Sequence, residues 1–168
     1  MAITELFTKL LETEAPISRR VLEQVPEGKP DWKPHEKSMP LGYLASLVAT
    51  MPMWIDYMIN RNELDFAPVG ENKDKPKDWT KREELLARFD ESVAKAVAAL
   101  EGTTDEHLMT TWRLKAGSHL ISEDPRYINI RHGVMNHWAH HRGQLTVYLR
   151  LNEAAVPALY GPSADEMI

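Results

Sequence analysis

Three of the chain's seven histidines, His137, His140 and His141, fall within five residues of one another. Neutral imidazole is a ligand for Zn, Ni, Cu or Fe(II). In a helix, side chains at i and i+4 lie about one turn apart on the same side. His137 and His141 have that spacing and can chelate a single ion. His140 is rotated by about 100° from His141 and belongs to another face. Two histidines are half of a site, because a catalytic ion takes a third protein ligand and keeps one position open. The same pair also reads as packed core histidines, each hydrogen-bonded to a neighbour.

The element that must position the pair reads NIRHGVMNHWAHHRGQLTVYLRLN, from about Asn129 to Asn152. Ile130, Val134, Trp138, Leu145 and Tyr148 lie on or beside the same side, so the two imidazoles are expected to face the core. Metal and ligand sites in helical bundles form between facing helices.

Three more helices supply those facing surfaces. From Ile3 to Val25 apolar residues recur at helical spacing, with Pro16 expected to kink or split the segment. Residues 26–38 form a loop with Trp32 as its apolar anchor. A second helix is expected from near Ser38, a plausible N-cap, to about Asn60, bent halfway by Pro52. Its broad apolar face makes it central. Residues 61–79 read as a surface loop in which the mixed charges of ENKDKPKD are solvated. Thr80 and Glu83 suggest a capping box opening a third helix that Gly102 stops. In residues 108–122 Trp112 and Leu114 alternate with polar residues around Ala116–Gly117–Ser118, which suggests a short hairpin. The last residues, from Glu153, carry Pro157 and Pro162 and are expected to lie extended along the body. The resulting expectation is a single all-α domain over residues 1–168, a four-helix up-down-type bundle, with a short β-hairpin before the last helix.

Composition narrows the functions. At 168 residues, 43% hydrophobic and 27% charged, the chain suits one soluble domain. A net charge of −5 argues against generic nucleic-acid binding. The chain has no cysteine, which rules out disulfides, thiolate metal sites and cysteine nucleophiles. No stretch approaches ~18 uninterrupted apolar residues, so no membrane span is expected. The N-terminal residues have no hydrophobic signal core, and a cytoplasmic location is the default. Gly117–Ser118–His119 lacks the pattern of a nucleophile elbow.

The stretch N-H-W-A-H-H-R-G-Q-L-T-V-Y-L-R (136–150) resembles the last-helix signature of the DinB/YfiT-like superfamily of metalloenzymes. Three further stretches agree: H-E-K-S-M-P-L-G-Y-L-A (35–45), Pro52–Met53–Trp54, and L-Y-G-P-S-A-D-E (159–166). The resemblance implies a four-helix bundle, often a homodimer. Some of its members are thiol-dependent transferases or isomerases. It also implies a divalent metal, Zn or Ni, held by three histidines, of which two correspond to His137 and His141. The third belongs to the second helix in a motif resembling L-A-x-H-V-A. Here that stretch is Leu44–Ala45–Ser46–Leu47–Val48–Ala49, so Leu47 occupies the ligand position.

Leucine cannot coordinate. Structural three- and four-ligand sites are worth ~10 kcal/mol or more, so loss of one ligand weakens binding by orders of magnitude. Tyr43, Asp56, Glu36 and His35 are the groups nearest in sequence that can substitute. In a metal-site protein His140 and Arg142 are candidates to orient an anionic group, and Tyr148 to line the pocket. The contrasting expectation is a metal-free bundle that binds a small apolar molecule or simply dimerises, with Leu47 repacking an abandoned site.

Overall fold

A computed structural model of the protein describes residues 1–68 and 79–167. The expected solvated charges of ENKDKPKD lie outside these residues. Apolar side chains at helical spacing form α1 (Ile3–Leu22), which buries Phe7, Leu11, Val21 and Leu22. Pro16 does not split it. Pro16 and Glu12, whose carbonyl loses its amide partner, are both exposed, so the break falls on the solvent side of the helix. Ala2 gives α1 no side-chain cap. Asp105 supplies one across the fold, accepting from the Ile3 and Thr4 amides at 2.8 and 2.9 Å. These amides hold its carboxyl below the usual range, Thr4 most strongly.

The expected second helix is two helices, α2 (Leu41–Thr50) and α3 (Met53–Asn60). Pro52 has no amide hydrogen, so the ladder breaks outright instead of bending. Buried Ser92 repairs the break: its hydroxyl accepts from the Met53 amide at 2.7 Å and donates to the Thr50 carbonyl at 3.1 Å. Ser38 is not the cap of α2; that place belongs to Pro40, whose extended backbone turns the chain into the helix. At Gly42 a Cβ would meet Pro30 backbone and side-chain atoms at 3.0–3.2 Å, so glycine lets the loop close onto the helix start.

The third long helix, α4 (Arg82–Glu101), starts with a one-residue slip from expectation. Thr80 bonds Glu84, not Glu83, through both its amide (3.2 Å) and its hydroxyl (3.1 Å). Gly102 ends the helix as expected. A short helix, α5 (Asp105–Leu108), follows.

The all-α class needs correction. The described residues include a three-stranded mixed sheet in the order β1–β2–β3: β1 (Glu63–Asp65), β2 (Thr111–Ala116) and β3 (His119–Pro125). The β2–β3 pair is the expected hairpin. It turns at Gly117, whose φ of +59° favours glycine. β1 runs parallel to β2 in the register Glu63↔Arg113, and no sequence pattern marked it because three residues show no periodicity.

The last rod begins at Arg126, three residues before the expected Asn129. It comprises α6 (Arg126–Asn129), a π-helical stretch (Ile130–Asn136) and α7 (His137–Leu151). A Cβ on Gly133 would come within 3.0 Å of the Met58 methyl, so its absence lets α3 lie close to the π stretch. The tail is not simply extended. It doubles back so that Asp165 and Glu166 accept from the Val156 and Ala158 amides, while Arg150 and Arg20 bind the same two carboxylates.

The four rods, α1, α2–α3, α4 and α6–α7, enclose one apolar core that includes Leu11, Leu44, Val48, Phe89, Trp138 and Leu145. Among the described residues no helix is long and apolar enough to cross a membrane.

Candidate metal centre

His137 opens α7, directly after the π stretch. A π turn carries one residue more than an α turn and changes the helical phase of the residues beyond it; such insertions are frequent at functional sites. His141 is buried, with 7% of its surface exposed; His137 is half-buried and His140 exposed. The rings of His137 and His141 lie 4.5 Å apart between centroids, tilted by 44°. Zinc binds imidazole nitrogen at ~2.0–2.1 Å, and rings this close are able to share an ion. His140 stands edge-on to His141 at 5.2 Å.

Gln144, one turn beyond His141, fixes that ring. Its amide oxygen, as assigned, accepts from His141 Nδ1–H at 2.8 Å. This leaves Nε2 with a free lone pair, as a metal-ligating histidine requires. Burial pulls the pKa of both histidines below the ordinary 6.5. His141 adds to the effect on His137 and the Gly133 carbonyl opposes it. On His141 the bond to Gln144 opposes burial. Both rings are therefore neutral at neutral pH.

α2 packs against α7, and α3 against the π stretch. The Trp138 indole donates to the Val48 carbonyl at 2.8 Å, which pins α7 to α2 next to Leu47. Leu47 is 7% exposed, yet it stands apart from the contiguous apolar core. The Trp54 ring lies 5.9 Å from that of His137.

Among the described residues no three His, Asp or Glu side chains gather in a metal-binding group. The four candidate substitutes are engaged or exposed. His35 Nδ1 accepts from the Lys37 amide at 3.1 Å, and Asp56 accepts from the Asn60 side-chain amide at 2.7 Å. Glu36 and Tyr43 are exposed. The donor set fits an ion held by two imidazoles and does not fit a three-histidine centre.

Arg142 requires a correction. As a candidate to orient an anion beside the pair it is misplaced: its side chain is 1% exposed and is paired with Glu14 of α1. It bonds the Glu14 carboxylate, the Ser18 hydroxyl (2.7 Å) and the Tyr160 hydroxyl. Tyr148 is buried against Trp32, edge to face at 5.5 Å, and its hydroxyl donates to the Met39 carbonyl at 3.0 Å. Sequence reasoning gave no role to Gln144 or to the π stretch. The i, i+3 spacing of His141 and Gln144 was the available signal for the first; periodicity carries none for the second.

The DinB family model matches residues 3–168, and the chain belongs to the DinB family. A DinB-like protein from Bacillus cereus has a similar fold: TM-score 0.65, 21% identity, 94% of this chain and 95% of that one covered. A DinB-like protein from Bacillus subtilis matches at TM-score 0.60 and 19% identity, over 88% of this chain and 93% of that one. No protein of curated function matches the chain.

Proposed function

We propose that this DinB-family protein binds a divalent cation, Zn or Ni, weakly through His137 and His141, with water or a small-molecule ligand completing the shell. The observation that carries this reading is the pair of neutral imidazoles 4.5 Å apart, one of them oriented by Gln144. When bound, the ion supplies Lewis acidity, lowering the pKa of a coordinated water or thiol. The family resemblance favours a low-molecular-weight thiol as cosubstrate, in a cytoplasmic transferase relative. In this chain His137 and His141 hold the ion, Gln144 fixes the donor tautomer of His141, and Trp54 shields His137 from solvent.

Leu47 carries the second reading. As a buried hydrocarbon in a ligand's place, it supports a metal-free bundle that accepts a small apolar molecule or only dimerises. Exposed Val147 and Leu151, one turn apart on α7, support an apolar contact with a second copy; sedimentation of the Val147→Glu variant tests it.

Zinc and nickel titrations followed by calorimetry separate the two readings. Saturable one-to-one binding that disappears in both His137→Asn and His141→Asn supports the metal site. Binding that survives both substitutions overturns the assignment to His137 and His141, and no binding by the unmodified protein leaves the metal-free bundle.

A further inference from the structure

A second site lies at the other end of α3, where α4, α5 and α6 converge. A cleft of about 370 Å³ is lined there by Asn60, Asn62, Thr103, Thr104, His107 and Arg126, among others, and no acidic residue lines it. Arg126 is 3% exposed. A buried guanidinium is ordinarily paired with a carboxylate, because desolvation of an unpaired charge is expensive. Here Nη2 donates to the Asn62 side-chain oxygen at 3.1 Å and Nε to His107 Nε2 at 3.0 Å. Among the described residues Nη1 is buried without a partner, and so is the Thr103 hydroxyl in the same wall.

The Nε contact is itself contested. His107 Nε2 also lies 2.8 Å from the Ile59 carbonyl oxygen. In one tautomer this nitrogen donates to that carbonyl; in the other it accepts from Arg126. It cannot do both. On α5, Asp105 is bonded to the Ile3 and Thr4 amides. Two of the three guanidinium nitrogens therefore lack a settled acceptor among the described residues, and burial lowers the Arg126 pKa.

We propose that this cleft is a small-oxyanion site, in which a carboxylate or phosphate group accepts a forked pair of hydrogen bonds from Arg126 Nη1 and the second hydrogen of Nη2, and one from the Thr103 hydroxyl. Planar guanidinium matches two oxygens of such a group, and charge assistance strengthens both bonds. The cleft has room for more than an inorganic ion, so the natural ligand is a small acid or phosphate monoester. The site shares no residue with the histidine pair and does not depend on a metal.

The test is a calorimetric titration of the full chain with inorganic phosphate and, separately, with acetate, at constant ionic strength set with chloride. Saturable one-to-one binding of either is expected. Preference for phosphate or for acetate identifies which oxyanion the ligand carries. Arg126→Lys keeps the charge and loses the fork, and should weaken binding about tenfold. Thr103→Val preserves shape and should weaken it severalfold. Circular dichroism identifies which variants are folded; if the Arg126 variant is not, Thr103→Val decides. No saturable binding of either anion overturns the proposal, as does unchanged affinity in the folded variants.

Discussion

The side-chain oxygen of Gln144 lies 2.8 Å from Nδ1 of His141, one helical turn away, and holds that buried ring in a single tautomer. Such partners of a ligand typically change metal affinity ten- to a hundredfold when removed. Gln144→Leu should therefore weaken zinc binding about tenfold while leaving thermal stability nearly unchanged. His140→Ala, which removes an exposed ring, should alter neither. Calorimetric titration of both variants checks the contrast.

Arg142 and Glu14 form an ion pair in which the arginine is almost wholly buried. Removing one partner leaves the other charge buried and unpaired, so Glu14→Ala should destabilise the protein by about 3 kcal/mol. Urea unfolding measures it. A change below about 0.5 kcal/mol would place the pair among surface salt bridges of little weight.

Ser92 stitches the break between α2 and α3 through bonds to the Met53 amide and the Thr50 carbonyl. Ser92→Ala strands both groups, at an expected loss of roughly 1–3 kcal/mol. Hydrogen exchange at the Met53 amide should accelerate in this variant more than exchange within α1.

Tyr160 pins the tail through Glu14 and Arg142. Burial of its hydroxyl, followed by the bond to Glu14, pushes its pKa up to about 12, from an ordinary 10.0. The raised value means that the folded state favours the neutral phenol. The stabilisation is complete below the unfolded value of 10.0 and is lost as pH rises toward about 12. Denaturation series across that range should show a falling stability that Tyr160→Phe flattens. Equal slopes in the two proteins would count against the assignment.

The sequence was most informative where periodicity is long. The bundle rods, the Gly117 hairpin and the Gly102 stop were legible because apolar spacing and turn chemistry are local properties. Ala116–Gly117–Ser118, after the alternation of Trp112 and Leu114, marked the turn. The π stretch was not legible, since the four-residue spacings of Ile130, Val134 and Trp138 suit an α-helix and a π-helix alike. Nor was the burial of Arg142, whose partners Glu14, Ser18 and Tyr160 are far away in the chain. The shift from Glu83 to Glu84 at the start of α4 is a boundary effect of one residue. Proximity of His137 to His141 followed from i, i+4 geometry alone, whereas the presence of Trp54 beside them required the tertiary fold.

The direct test of the two-histidine reading is the divalent-metal affinity of the unmodified protein and of Leu47→His, measured after purification without chelators. On the proposed reading, in which residue 47 faces the pair, a third imidazole there should give retention of about one zinc or nickel ion per chain, with affinity raised by orders of magnitude. Equal affinity in the two proteins, or no binding in either, would contradict the placement of Leu47 opposite His137 and His141.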